Sequence, residues 1–274
     1  MPKQELIVKN LKVSFSTPEK ELIAVRGISY QLNQGETLAL VGESGCGKTV
    51  SALSILRLIE EPPGKIMSGE ILFDDKDLLK LTKKELQDHR GKDIAMVFQN
   101  SMTSMNPVLT IGEQIIETLL RHTSLSRKEA KEKSLKLLEQ VEISSPKEKL
   151  DQYPHQLSGG MRQRAMIAMA LSCSPRILIA DEPTTALDVL IQAQILDLLK
   201  KIKQETRMSI LLITHDLGVV SEIAKRIMVM YAGEIVETGP VGDLFRSPLH
   251  PYTIGLMKSI PELKPSQKQK FKTK

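Results

Sequence analysis

The sequence predicts an α/β domain whose largely parallel sheet is interrupted by an all-helical insert. Three observations carry this expectation: short aliphatic runs bounded by turn residues recur along the chain, helix-period segments separate several of them, and one central stretch has helical spacing throughout. The aliphatic runs fall at residues 37–41, 69–73, 94–98, 177–180, 209–214, 227–230 and 234–237. From about residue 111 to 152 apolar residues instead recur at helical spacing among many charges: Ile115, Ile116, Leu119 and Leu120, then Leu135, Leu137, Leu138 and Val141. Beyond about Pro240 the pattern weakens, and Pro248, Pro251, Pro261 and Pro265 divide it into short pieces.

Composition bounds the function without naming it. With 274 residues, 41% hydrophobic and 26% charged, the chain has the make-up of a globular protein with a full core. No apolar run approaches the ~20 residues needed to cross a bilayer. The first ten residues lack the apolar block of a secretory signal. A cytoplasmic location is expected, with any membrane role exercised through partners. The two cysteines, Cys46 and Cys173, lie far apart and no histidine pair has i, i+4 spacing, so neither a disulfide nor a metal held by protein side chains alone is expected. Of the net charge of +5, much sits in five lysines between residues 264 and 274, read as a solvated tail. With no Trp and 3% aromatic residues, base-stacking surfaces for nucleic acid are poorly supplied.

The run Gly42-Glu43-Ser44-Gly45-Cys46-Gly47-Lys48-Thr49 fits G-x-x-x-x-G-K-[ST], directly after one predicted strand and before a helix-like segment at residues 50–60. Its glycines let successive amides and the helix N-terminus converge on one anion. Lys48 would reach the β and γ phosphates of a nucleotide, and the Thr49 hydroxyl would ligate magnesium. Residues 177–180 form an apolar strand that ends on Asp181 and Glu182, a second magnesium ligand and a general base for water. These features specify ATP or GTP binding and no more. A second amide-lined tip follows from Ser158, a good helix N-cap, with Gly159 and Gly160 opening a helix predicted at residues 161–173. Two cradles for one γ phosphate suggest that each serves a different nucleotide.

Leu157-Ser158-Gly159-Gly160-Met161 resembles the L-S-G-G-Q signature of the ATP-binding-cassette family, with Met161 in the last position. The resemblance covers residues 5 to about 262 and implies a P-loop NTPase cassette fold: a RecA-like core with a mixed, mainly parallel sheet, a small antiparallel β subdomain and an α-helical subdomain. It divides the chain into a nucleotide-binding core (1–99 and 156–240), a helical subdomain (100–155) with the signature at its end (157–161), and a C-terminal extension with a basic tail (241–274). It implies that Gln99 touches magnesium and water, that Asp188, in Ala186-Leu187-Asp188, crosses a dimer interface, and that His215 contacts the γ phosphate. Phe15 would stack on adenine, and the nucleotide-binding run would extend from Gly42 to Val50. On this reading Glu182, His215 and Gln99 are the catalytic residues, and Thr49, Gln99 and Asp181 hold magnesium.

Within the family, Ser104-Met105-Asn106-Pro107, Gln192-Ala193-Gln194-Ile195-Leu196 and Pro248-Leu249-His250-Pro251-Tyr252-Thr253 resemble the ATP-binding subunits of dipeptide and oligopeptide importers, with nickel importers as near relatives. Asn100-Ser101 replaces an acid-proline pair usual there, and Leu190 a common Thr or Ser. The resemblance implies an ATPase at the cytoplasmic face of the cell membrane, paired head to tail with a second cassette. Its further partners would be two permease subunits and an extracytoplasmic substrate-binding protein. No cysteine follows Cys173, so no iron-sulfur cluster is expected in this chain. The alternatives are an importer ATPase for nickel or a metal chelate, a soluble cassette ATPase of translation or DNA repair, which usually carries two cassettes, a coiled coil or a zinc module, and a non-catalytic interaction protein, against which Lys48, Asp181, Glu182 and His215 all stand.

Overall fold

A computed structural model describes residues 3–185 and 187–259. In chain order the first half forms β1 (Gln4–Ser16), β2 (Glu21–Asn33), β3 (Thr37–Val41), α1 (Lys48–Ile55), β4 (Gly64–Phe73), β5 (Lys76–Asp77), α2 (Lys83–His89) and β6 (Ile94–Val97). Helices α3 (Ser101–Ser104), α4 (Ile111–His122), α5 (Arg127–Gln140), α6 (Pro146–Leu150) and α7 (Gly159–Leu171) follow. The chain then continues through β7 (Ile177–Asp181), α8 (Val189–Thr206), β8 (Ser209–Thr214), α9 (Leu217–Ile223), β9 (Arg226–Tyr231), β10 (Glu234–Pro240), α10 (Val241–Arg246) and α11 (Pro251–Lys258).

Two sheets result: an antiparallel one in the order β2-β1-β4-β5, and a six-stranded one in the order β10-β9-β3-β8-β7-β6, parallel except for β10. The parallel strands β3, β7 and β8 are buried along their whole length, as continuous apolar runs covered on both faces must be. Alternation divides their side chains between two cores. Leu38, Leu40, Ile177, Ile179, Leu211 and Ile213 face a cluster shared with the antiparallel sheet and α1. On the opposite face Leu178, Ala180, Ile210 and Leu212 pack with α7 and α8, while Ala39 and Val41 pack with α9 and α10.

The expected α/β architecture is therefore present, with differences of extent. The strands at residues 37–41 and 209–214 coincide with β3 and β8, whereas β4 begins five residues before the predicted 69. Helix α1 ends at Ile55 rather than near 60, because Arg57 turns into the left-handed region and Pro62 and Pro63 follow. Strands β1 and β2 escaped the aliphatic-run pattern. In β1 the buried apolar positions are Leu6 and Val8, then Leu11 and Val13; a bulge at Asn10, with φ of 46°, shifts the alternation by one residue. Gly69 permits the bulge, since a Cβ there would stand 2.7 Å from the Leu11 Cα.

The central helical stretch is capped as its sequence suggests. Thr110 receives the amide of Glu113, and Ser126 and Glu129 form a capping box. Ile115, Ile116, Leu119, Leu137, Leu138 and Val141 join Ala165, Met166, Ala95 and Val97 in one cluster, seating these helices on α7 and β6. Leu120, by contrast, stands outside the core. The two sheets are joined by Arg176 at the mouth of β7. Its Nε donates to the buried Glu5 carboxylate at 3.0 Å, its Nη1 and Nη2 donate to Asp74, and its guanidinium lies 4.7 Å from the centre of the Phe73 ring.

Arg176→Ala would strand the Glu5 carboxylate in the core with only the Ser209 hydroxyl as a side-chain partner. It is expected to cost about 2–3 kcal/mol in urea denaturation, and a second change, Glu5→Gln, is expected to recover part of that loss. Equal stability of wild type and Arg176→Ala would show that the bridge does not hold the sheets together.

Candidate nucleotide-binding site

The carboxyl ends of neighbouring strands β3, β8, β7 and β6 carry, in that order, Gly42, His215, Asp181 with Glu182, and Gln99. A crevice beyond strand ends is where an open parallel sheet binds its ligands. The phosphate loop leaves β3 at Gly42 and enters α1 through Gly47, whose φ is 107°. A Cβ on Gly42 would lie 2.2 Å from the Met230 carbonyl, and one on Gly47 2.4 Å from the Ala24 carbonyl, so the loop runs where only glycine fits. Glu43, Ser44 and Gly45 are exposed at its tip. The first amides of α1 have no carbonyl one turn back to receive them. This amide-lined turn opening a helix suits a polyphosphate.

Lys48 is buried, and its Nζ donates to the carbonyls of Gly42 at 2.7 Å and Glu43 at 2.9 Å, which hold the ammonium across the loop. Thr49 Oγ1 donates to Asp181 Oδ1 at 3.2 Å, so a hydroxyl and a carboxylate meet at one point, the hard oxygen pair that magnesium prefers. Asp181 is almost wholly buried, and that burial, aided by the neighbouring Glu182 charge, pushes its pKa up to about 6 against the pull of Thr49 and Lys48.

Glu182 is treated differently. Burial raises its pKa too, but hydrogen bonds from His215 and Thr185 outweigh that effect and leave it below the usual carboxylate range. Its Oε2 accepts from Gln99 Nε2 and from Thr185 Oγ1, each at 2.8 Å, and its Oε1 lies 3.0 Å from His215 Nδ1. With the acid ionised, Nδ1 is the donor in this contact, and Nε2 is the ring nitrogen turned away from Glu182. The Glu182 backbone sits at φ of 46°, a strained geometry for a non-glycine residue, with its amide tied to the Ile213 carbonyl at 2.8 Å.

The structure thus brings Gln99, Lys48, Thr49, Asp181, Glu182 and His215 together at the strand ends. Val50 packs below them, and Cys46 is buried with its pKa raised mainly by that burial. Phe15 lies half-buried near the end of β1, against Gly64 and the core that includes Cys46, apart from this hydrogen-bonded group. Ser158 caps α7 by accepting from the Met161 amide at 3.3 Å, with Leu157 buried and Ser158 and Gly159 exposed. Gly160 is held close by Ile191 of α8, 2.9 Å from where its Cβ would be. Asp188 caps α8, receiving the Ile191 amide at 2.9 Å; Ala186 lies outside the described residues. Thr185 was not foreseen, although a hydroxyl three residues after the acid was visible in the sequence. Nor was the Tyr252 hydroxyl, which takes the Glu43 amide at 3.0 Å. Among the described residues no group of three or more His, Cys, Asp or Glu suits a metal, and no helix is long and apolar enough to cross a membrane.

Fold and site define a phosphate-loop nucleotide-binding protein. Residues 25–185 match the ABC transporter family, and residues 236–274 match the oligopeptide/dipeptide transporter C-terminal region. Among similar proteins, the oligopeptide transport ATP-binding protein OppD of Bacillus subtilis is 53% identical over 97% of this chain and 74% of its own length. The dipeptide transport ATP-binding protein DppD of the same organism is 56% identical over 94% of this chain and 77% of its own. The ATP-binding cassette MJ0796, solved as a dimer in a post-hydrolysis state bound to ADP and Pi, superposes with a TM-score of 0.77 at 29% identity, covering 86% of this chain and 98% of that one. The chain belongs to the ABC transporter family.

The raised pKa of Asp181 opposes folding. Below the ordinary carboxylate value the group is protonated folded and unfolded alike; the penalty grows as pH rises toward about 6 and is complete above it. In metal-free buffer at neutral pH, Asp181→Asn is therefore expected to stabilise the chain by about 2–3 kcal/mol, a gain that shrinks away as the medium is acidified through that window. Urea midpoints of the two proteins across the range provide the check, and an Asn variant less stable at neutral pH would refute it.

Proposed function

We propose that the chain is the ATP-binding and ATP-hydrolysing subunit of an importer for dipeptides or oligopeptides, working at the cytoplasmic face of the membrane. The observation that carries the catalytic part is the Glu182 carboxylate held by Gln99, Thr185 and His215 from three separate segments. The peptide assignment is supported by the match of residues 236–274 and by the names of the relatives.

On this reading the amides from Gly45 to Val50 and the N-terminus of α1 receive the β and γ phosphates. Lys48 exchanges its two carbonyl partners for phosphate oxygens, a charge-assisted bond that outcompetes neutral acceptors. Phe15 supports the adenine from the antiparallel sheet. Thr49, Asp181 and Gln99 would hold magnesium, whose positive charge would offset the negative charge of the phosphates. Glu182 is fixed to orient water and take its proton, while His215 Nε2, when protonated, would donate to the γ phosphate.

The remaining contacts come from a second cassette, the same chain or a paralogue. Its Leu157–Met161 segment closes over the phosphates, and its Asp188 crosses the interface. Beside Asp188, Val189 and Leu190 are 85% and 69% exposed, apolar surface that such a partner would cover. Residues 1–99 and 156–240 hold the nucleotide, while residues 100–155 face two permease subunits. An extracytoplasmic binding protein delivers substrate from the other side. Since γ-phosphate contacts from the second cassette exist only when the pair is closed, ATP favours closure by differential affinity, and hydrolysis releases it.

Glu182→Gln is expected to retain ATP binding, to accumulate a closed pair in the presence of ATP, and to lower steady-state hydrolysis at least about 100-fold. Binding by calorimetry, association by light scattering and phosphate release report these separately. Turnover at the wild-type rate would remove Glu182 from the role of base.

A further inference from the structure

The phosphate loop has a support that its motif does not contain. The backbone N–H of Glu43, the first residue after Gly42, donates to the hydroxyl of Tyr252 at 3.0 Å, across 209 positions of sequence. Tyr252 lies in the first turn of α11, and that turn is itself fastened. The Glu237 carboxylate on β10 receives the amides of Leu249 at 2.8 Å and His250 at 3.0 Å. The imidazole of His250 then caps α11 by accepting the Tyr252 amide at 3.2 Å. Tyr231, at the end of β9, packs its ring on that of Tyr252 with 4.4 Å between centroids. Tyr252 also packs against the cluster below β3 and β9. The phenol thus reaches the loop from a framework tied at β10, β9 and the core.

We propose that Tyr252 is a positioning residue for the phosphate loop, holding the Glu43 peptide so that the amides that follow it are already ordered for a nucleotide's phosphates. This rests on the reading of residues 42–49 as the nucleotide cradle. The physical reason is preorganisation. The loop tip, Glu43 to Gly45, is exposed and glycine-bearing, and ordering it on binding would subtract from affinity. The other flank is already pinned, since the Cys46 carbonyl accepts the Gly233 amide at 3.0 Å and the Cys46 amide donates to the Glu43 carbonyl at 3.3 Å. Tyr252 supplies the matching pin on the Glu43 side. Burial raises the pKa of the phenol, and its oxygen accepts the amide proton. Because Tyr252 touches the loop's first peptide and none of the side chains around Glu182, its effect falls on nucleotide affinity, with turnover of the saturated site left in place.

The test uses the full chain with Mg-ATP and the variant Tyr252→Phe, which deletes one oxygen and keeps the ring against Tyr231. Calorimetry is expected to show a dissociation constant about three- to tenfold higher, the span a single neutral hydrogen bond supports, with the melting temperature unchanged. Hydrogen exchange read by NMR is expected to be faster at the Glu43 amide and unaltered in β3 and β8. Glu237→Ala, which frees the turn before α11, is expected to weaken binding in the same direction. Tyr231→Phe, which keeps the Tyr252 hydroxyl and both rings, is expected to bind as wild type does. Equal affinity of wild type and Tyr252→Phe, or unchanged exchange at Glu43, overturns this inference and leaves the ATPase reading standing. A wild-type chain that binds no nucleotide overturns that reading, and this inference with it.

Discussion

The arrangement depends on a steric slot. The phosphate loop passes between two backbone carbonyls, Met230 on one side and Ala24 on the other, at distances that exclude any side chain at Gly42 and Gly47. One wall belongs to β9 and the other to β2, so the cradle requires both sheets to be in place. The antiparallel sheet is then part of the site. Its Arg26 amide donates to Gly233 at 2.8 Å, and the Gly233 amide holds the Cys46 carbonyl of the loop. Once β9 and β3 are neighbours, the parallel order on through β8, β7 and β6 sets the reactive groups at successive strand ends.

Within that frame, two adjacent carboxylates acquire opposite characters from their surroundings. Asp181 is the last residue of β7 and meets mainly apolar neighbours and one hydroxyl, so burial dominates and its proton is held more tightly. Glu182 turns out of the strand at a left-handed backbone angle and meets donors from three segments, so its charge is favoured despite burial. Environments that separate the pKa values of neighbouring acids mark a division of roles. A carboxylate costly to ionise gains most from a cation, which suits the metal position. One already ionised and immobilised suits the ordering of water. The strain at Glu182 and the raised Asp181 pKa both work against folding, a cost met by the packing of β3, β7 and β8 on two faces.

What the sequence made legible follows the range over which each signal acts. The phosphate loop, the acids at the end of β7 and the cap at Ser158 are local: a few consecutive residues dictate backbone and chemistry together, and the parallel strands announce themselves as unbroken apolar runs. Strand β1 was hidden because the Asn10 bulge moves the inward positions from Leu6 and Val8 to Leu11 and Val13, and β2 because its inward positions step from Val25 to Ile28 across Gly27, with φ of 94°; either break destroys the period-two pattern over the length needed to see it. Leu120 misled for the opposite reason, since it follows Leu119 on the helix and the pattern could not say that the buried stripe ends between them. Tyr252 was visible only as part of a subgroup's segment; its reach to Glu43 depends on how β10, α10 and α11 return beneath the sheet, which no local pattern encodes.

The second amide-lined tip, at Ser158, opens α7 away from the Gly42–Thr49 loop in sequence and is built differently from it. Its serine hydroxyl is spent on capping α7 and its first glycine faces solvent, while Gly160 is pressed against Ile191 and so cannot retreat. The helix it opens is anchored in the same cluster as β6, beside the Gln99 end, and α8 begins at Asp188 with Val189 and Leu190 turned outward. A polar tip presented rigidly and flanked by exposed aliphatics has the make-up of a docking edge: amides for an anion, apolar surface to exclude water around it. On the proposed reading, a triphosphate on the Gly42–Thr49 loop of one cassette would supply that anion to the other. If each chain offers both halves, head-to-tail pairing satisfies two such contacts at once, and closure becomes sensitive to the γ phosphate twice over.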